Sequence, residues 1–271
     1  MPGDAPVSKH ERAKSYGATV VLSDSIPSVN REVTAAQVAE RISAAEGLTL
    51  LHPFEDKDVI VGQGTCALEI CAQCRDLGCE LDALIIPIGG GGLTAGCCLA
   101  MERDMPQCAV FAVEPDGYDD HVRSLRAGER LAVQGNPSSI CDSLQAAAPG
   151  RNTFPVTRRC LSGAVSVSDA EVRAAMRVAF ETLQIVLEPG GATGLAALLS
   201  GKLPLANLNS GARAMCVVAS GGNLSLDKYA AVMGCPKARL RWAPWVAAFT
   251  AGAFAARLLQ GGAGRVRVGW K

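Results

Sequence analysis

Apolar and polar positions follow two periods along the chain. Residues 19–22, 48–51, 83–88, 109–113 and 215–219 are short runs that are mostly apolar throughout, separated by longer stretches with helical spacing. Runs without polar alternation suit strands covered on both faces, so the pattern predicts an α/β fold with an open, mostly parallel sheet flanked by helices. Thr34 with Gln37 and Ser168 with Glu171 are spaced as capping boxes, which predict two helix starts. Behind the second, Val172, Met176, Ala179 and Leu183 recur at four-three-four spacing, the mark of a buried helix face. From about residue 236 the alternation gives way to a tail rich in Arg, Trp and Ala. Its most apolar part, 242–259, is interrupted by Pro244, Gly252 and Arg257 and barely matches a hydrocarbon layer of ~30 Å. No membrane span is expected there; the tail reads as a helix or a disordered extension, with an interfacial helix as the lesser alternative.

Composition narrows the classes. The chain has 271 residues, 49% of them hydrophobic, enough for one large domain or a large domain with a small companion. Lys and Arg total 26 and Asp and Glu total 26, so no net field draws nucleic acid or an anionic membrane. Eleven cysteines would suggest disulfides in a small secreted domain. This chain is not small and carries no charged stretch followed by an apolar core, so reduced, mostly buried thiols in a cytoplasmic protein are expected. Cys66, Cys71, Cys74 and Cys79 reproduce ligand spacings of a plant-type iron–sulfur site. Residues 64–74 read as continuous helix, which scatters these thiols around its axis, so no metal cluster is expected.

The strongest candidate site follows the run at 83–88. Gly89, Gly90, Gly91 and Gly92 lead into a helix-like segment opened by Leu93. Four glycines let the backbone approach an anion closely, and the helix adds the positive end of its dipole, so this is a phosphate cradle. Gly90, Gly92 and Ala95 also fit a dinucleotide fingerprint, with Glu114 placed to take a ribose hydroxyl, which keeps a nicotinamide cofactor open. A second turn, Ser220-Gly221-Gly222-Asn223, follows the run at 215–219. In a parallel sheet both turns emerge at the carboxyl edge and could face one ligand. Between them in sequence, residues 114–120 hold four carboxylates, which suit either a solvated loop or a hard cation.

Several motifs occur together in a fixed order. They are Met1-Pro2-Gly3-Asp4-Ala5-Pro6-Val7-Ser8-Lys9, Tyr16-Gly17-Ala18, His52-Pro53-Phe54, Ile60-Val61-Gly62-Gln63-Gly64-Thr65, Pro87 through Gly92, Val113-Glu114-Pro115, Glu188-Pro189-Gly190-Gly191-Ala192 and Ser220-Gly221-Gly222-Asn223. Over about residues 1 to 234 the chain thereby resembles the threonine/serine dehydratases and serine racemases, pyridoxal-phosphate (PLP) enzymes of fold type II. Ser139-Ile140-Cys141-Asp142 and Phe154-Pro155 look more like the bacterial-type dehydratases.

The resemblance implies a role for each motif. Gly89, Gly90, Gly91, Gly92 and Leu93 would hold the cofactor phosphate, Ser220 the pyridine nitrogen, and Asp142 and Glu188 would lie near the cofactor. Ser143 stands where the family commonly has glycine. Glu114, the Tyr118 carbonyl and Asp120 match a divalent-cation site for Mg2+ or Ca2+. The implied reaction is an ammonia-lyase one on a hydroxy amino acid, with racemisation or a non-catalytic binding role as alternatives, and the implied assembly is a homodimer. The implied organisation is a remnant of a small domain over 1–51, a PLP-binding domain over 52–235 and a tail over 236–271. The family's Schiff-base lysine motif, Ser-x-Lys-x-Arg-Gly, and its Ser-Ser-Gly-Asn-His loop do not occur in this sequence. None of the seven lysines has that context, and Lys57 is the nearest substitute the sequence offers. On the resemblance, Met1 corresponds to an internal methionine, so a shortened, poorly soluble and inactive chain is expected.

Overall fold

The longest apolar runs form the centre of the molecule. In the computed structural model, residues 1–204 and 214–234 are described, apart from Pro6, Ser25, Pro27, Ser28 and Asn136. Strands β1 (Ala83–Pro87), β2 (Ala109–Pro115), β3 (Leu161–Val167) and β4 (Met215–Val217) make one sheet in the order β3-β2-β1-β4. All pairings are parallel: Ala83 lies opposite Ala109 on one side and Met215 on the other, and Val113 opposite Val165.

Alternation along β1 sorts its side chains between two helical layers. Ala83 and Ile85 join Phe111 and Val113 under α8 (Asp169–Glu181) and α9 (Pro189–Leu199), whose Val172, Met176, Ala192 and Ala196 complete one core. Leu84 and Ile86 face Ala67 and Cys71 of α4 (Thr65–Asp76) and Cys97 and Met101 of α5 (Gly92–Asp104). A fully buried side chain of this size contributes about 1.5–3 kcal/mol, so β1 anchors both layers. The expected α/β fold with a parallel sheet flanked by helices is thus observed.

Four expectations are corrected. Residues 19–22 and 48–51 are not strands. Apart from one parallel bridge between Pro2 and Ser23 they have no ladder among the described residues, and a strand needs a neighbour for its backbone groups. Their apolar side chains instead line an open groove with Val38, Ala39 and Ile42 of α2 (Arg31–Glu46). Thr34 is no cap: α2 starts at Asn30, whose side chain accepts from Glu32 N, and the Thr34 hydroxyl donates to the Arg31 carbonyl inside the helix. The Ser168–Glu171 capping box forms, but α8 ends at Glu181 and leaves Leu183 51% exposed beyond it. Finally, β3 lies in a stretch not read as a strand. It is the outer strand of the sheet, and Ser162, Gly163 and Ser166 break its apolar pattern.

The ten described cysteines are free, and six of them, including Cys71 and Cys74 on α4, are buried. No helix among the described residues is long and apolar enough to cross a membrane. The stretch 242–259 lies outside the described residues.

Candidate active site

Pairing of β1 with β4 brings the two glycine turns to neighbouring strand ends. Hydrogen bonds carry the ladder past the strands: Ile88 N donates to Val113 O and Val218 N to Ile85 O, at 3.0 and 2.9 Å. The chain then turns through Gly89 to Gly92 into α5. Gly91 is the N-cap at φ 96°, a conformation that disfavours any side chain, and a Cβ there would meet Thr153 Oγ1 at 2.8 Å. The cradle is fixed from outside: Gly90 O accepts from Gly150 N at 3.1 Å and from Thr153 Oγ1 at 2.6 Å. Phe54 packs so closely on Gly90 and Gly92 that neither position has room for a Cβ. The loop bearing Phe54 is tied down in turn, since Glu55 accepts from Arg151 N and Asn152 N.

Ser220 is exposed at the end of the adjoining strand. Its turn rests on Glu188: Glu188 N donates to Gly221 O at 2.9 Å, and Glu188 Oε2 accepts from Asn223 N at 3.1 Å. Gly191 approaches so near that a Cβ would meet Gly221 N at 2.6 Å. The segment 142–144 links the tetraglycine turn to the start of α9. Leu144 packs on Gly89, where a Cβ would meet Leu144 Cα at 3.2 Å, and Ser143 Oγ fills the space beside Gly190 at the start of α9. The Ser143 hydroxymethyl is therefore wedged against the start of α9, whose Gly191 abuts the Ser220 turn.

Asp142 receives two ammonium groups on one oxygen, Lys228 Nζ at 2.9 Å and Lys9 Nζ at 3.3 Å. Burial pushes its carboxyl up, but Lys228 and Lys9 together outweigh that and hold it below the usual carboxylate range. Lys9, Asp142 and Ser143 share a cleft of about 240 Å³ with Gly90, Phe54 and Arg31. Lys57, in contrast, is exposed as the first residue of α3 (Lys57–Gln63) and does not line that cleft.

Glu114, Tyr118 and Asp120 of the acidic loop are buried, whereas Asp116 and Gly117 are exposed. Glu114, the residue before the last of β2, caps α6 (Asp120–Ala127), accepting from His121 N and Val122 N at 2.8 Å each. The His121 Nδ1 atom lies 3.5 Å from Glu114 Oε1 and 3.9 Å from Asp120 Oδ2. Burial raises the carboxyls of Glu114 and Asp120, the second also through the neighbouring Glu114, and it lowers His121. One ligand atom from each of the three lies within 4.8 Å of the others. Asp120 Oδ2 and both imidazole nitrogens are buried without a hydrogen-bond partner among the described residues. Orphaned donors of this kind fit a divalent cation. Tyr118 belongs to the same loop, its N donating to Pro115 O and its hydroxyl to Pro137 O.

Sequence reasoning did not reach His121, Lys9 or Lys228 as site residues. His121 had one signal, its position directly after Asp120; the two lysines had none, because they meet Asp142 from 133 and 86 residues away.

Residues 1–225 match the profile of a family described as "Pyridoxal-phosphate dependent enzyme". The chain is 35% identical over 233 residues to the L-threo-3-hydroxyaspartate ammonia-lyase of Pseudomonas sp, covering 86% of this chain and 68% of that protein. It is 36% identical over 234 residues to the serine racemase of Dictyostelium discoideum, with the same coverage, 86% and 68%. Among solved structures, the serine racemase of maize superposes with a TM-score of 0.74 at 31% identity, over 94% of this chain and 70% of that one.

Proposed function

Because the chain belongs to the family of pyridoxal-phosphate-dependent enzymes, whose relatives here are lyases and racemases, we propose that it binds PLP between its two glycine turns and acts as an ammonia-lyase on β-hydroxy amino acids. The observation that supports this reading is the run of close approaches from Gly89 to Leu144, from Ser143 to Gly190 and from Gly191 to Gly221, which links the tetraglycine turn to the Ser220 turn through the start of α9. Backbone N–H groups from Gly89 to Leu93, with the N-terminus of α5 behind them, would take the phosphate. The Ser220 hydroxyl would face the ring nitrogen as a neutral partner, and such a partner leaves that nitrogen largely unprotonated. Glu188 would orient Ser220 by bracing its turn, and Asp142 would lie at the cleft entrance with its two lysines. When bound, PLP supplies the electron sink that lets a substrate lose its α-proton and then its β-hydroxyl. The chain's own contribution is to hold the ring in register and to keep the cleft lined by Phe54.

Glu114, Asp120 and the Tyr118 carbonyl would take Mg2+ or Ca2+ through oxygen and so fix α6 against β2, with the His121 imidazole beside them. Incubation of the full chain with PLP and with 3-hydroxyaspartate, serine or threonine tests the reading, by following ammonia and 2-oxo acid. PLP binding is expected, and release of both products would overturn the expectation, drawn from the missing Ser-x-Lys-x-Arg-Gly motif, that this chain alone is inactive. D-serine from L-serine without ammonia would replace the lyase reading with a racemase one, and failure to bind PLP would overturn the assignment.

A further inference from the structure

None of the ten described cysteines lies on α1 (Val7–Ser15), α2 or α10 (Leu226–Val232), and seven of them sit in or against the core layer between the sheet and the helices α4 and α5. Cys97 and Cys98 are consecutive and fully buried on α5, so their side chains turn to different neighbours. Cys97 meets Cys66 of α4, and Cys98 meets Cys160, the half-buried last residue of α7 (Thr153–Cys160). The second pair opens to solvent: Cys98 and Cys160 line a cleft of about 190 Å³ with Met101, Glu102, Cys108 and Arg159. One turn along α5 from Cys98, Glu102 clamps the same two helices together, accepting from Arg159 Nε at 3.0 Å and from its Nη2 at 2.8 Å.

We propose that Cys160 and Cys98 form a thiol–disulfide exchange site, at which Cys160 reacts with a low-molecular-weight disulfide of the glutathione class and Cys98 resolves the adduct. The two thiols differ in the way such a pair requires: an accessible attacker that ionises near neutral pH and a sheltered partner that does not. The Cys98 S–H donates to the Cys160 sulfur and Arg159 adds its charge, which together bring Cys160 down to about 7 against the opposing burial and Glu102 carboxylate. The same hydrogen bond, with burial, pushes Cys98 far above its ordinary range, so it stays a thiol until Cys160 has reacted. Cys66 is brought down to about 7 by Cys97 as well, but the charge beside it is the Glu69 carboxylate, which opposes a thiolate. In the first step the Cys160 thiolate attacks one sulfur of the small disulfide, whose S–S bond breaks and releases one small thiolate. Cys98 then gives its proton to solvent and attacks the Cys160 sulfur, which forms the Cys98–Cys160 bond and expels the second small thiolate. The small disulfide is reduced to two thiols, and the protein supplies the two electrons. The new bond would tie α5, which begins at Gly92 of the cradle, to α7, whose Thr153 donates to Gly90 O.

Exposure of the reduced full chain to oxidised glutathione at neutral pH, with acid quenching and peptide mass spectrometry, tests the site without any cofactor. A link between the peptides bearing Cys98 and Cys160, reversed by dithiothreitol, is expected. In Cys98→Ala, glutathione should remain on Cys160, and the pH midpoint of its uptake should move from about 7 toward the ordinary 9, a shift that lost packing alone does not produce. In Cys160→Ser, oxidation of Cys98 should slow by about tenfold or more. Glutathione retained on Cys160 of the unaltered chain overturns the resolving role of Cys98. Uptake at Cys160 no faster than at Cys66, or an unshifted midpoint in Cys98→Ala, overturns the site.

Discussion

Replacing Gly91 with alanine tests the cradle where its geometry is most demanding. Gly91 sits at φ 96°, and an added Cβ would lie 2.8 Å from Thr153 Oγ1, 3.0 Å from Thr153 Cβ and 3.3 Å from His121 Nε2. A non-glycine residue held in that region costs about 1–3 kcal/mol, and the stiffer unfolded chain returns about 0.4–1 kcal/mol. The buried Thr153 cannot yield without losing its bond to Gly90 O, so a net loss of about 1–2 kcal/mol is expected. For a domain of this size that lowers Tm by about 2–8 °C. Because the same displacement moves the phosphate-facing amides, affinity for pyridoxine 5'-phosphate should fall by about tenfold or more, equivalent to about 1.4 kcal/mol. Gly62→Ala is the control: this glycine lies within α3, where a Cβ meets nothing within 4 Å, so alanine should stabilise by about 0.5–1 kcal/mol. Thermal denaturation and fluorescence titration measure both variants. A Gly91→Ala protein with unchanged Tm and affinity would refute the reasoning.

Other outcomes follow from the same structure. Glu114 and Asp120 are pushed up to about 8, so without a cation they stabilise the fold in their protonated forms, and that contribution should fade as pH rises from about 4.5 through 8. His121, pushed down to about 4, acts in the opposite sense, its contribution fading as pH falls below about 6.5. Added Mg2+ or Ca2+ should therefore raise Tm more at pH 8 than at pH 5.5, and a cation effect independent of pH would contradict the site. Met176→Ala removes a fully buried side chain and should cost about 2–5 kcal/mol by denaturant unfolding, whereas Leu183→Ala, beyond the end of α8, should change stability by less than about 0.5 kcal/mol. Equal losses at the two positions would place the core differently.

What the sequence discloses and what it hides have physical reasons. The central strands β1 and β2 are legible because both of their faces are covered, and the two glycine turns because backbone approach leaves its own mark in composition. Residues 19–22 and 48–51 have the same apolar character without a ladder to join, and apolar character alone does not reveal a partner. The outer strand β3 mixes polar residues into its run and escapes the pattern. Asn30 displaces Thr34 as the cap of α2 because the helix begins one turn earlier, and cap positions depend on where the chain enters. The meeting of Lys9 and Lys228 on Asp142 is a tertiary event that no local spacing announces.

The central claim is that one phosphorylated pyridine ring lies between the tetraglycine turn and the Ser220 turn. A crystal structure of the full chain with pyridoxine 5'-phosphate addresses it directly. The phosphate should lie against the backbone amides from Gly89 to Leu93, with the ring nitrogen in hydrogen-bond reach of Ser220 Oγ. A phosphate bound elsewhere, or a Ser220 hydroxyl turned away from the ring, would contradict the account.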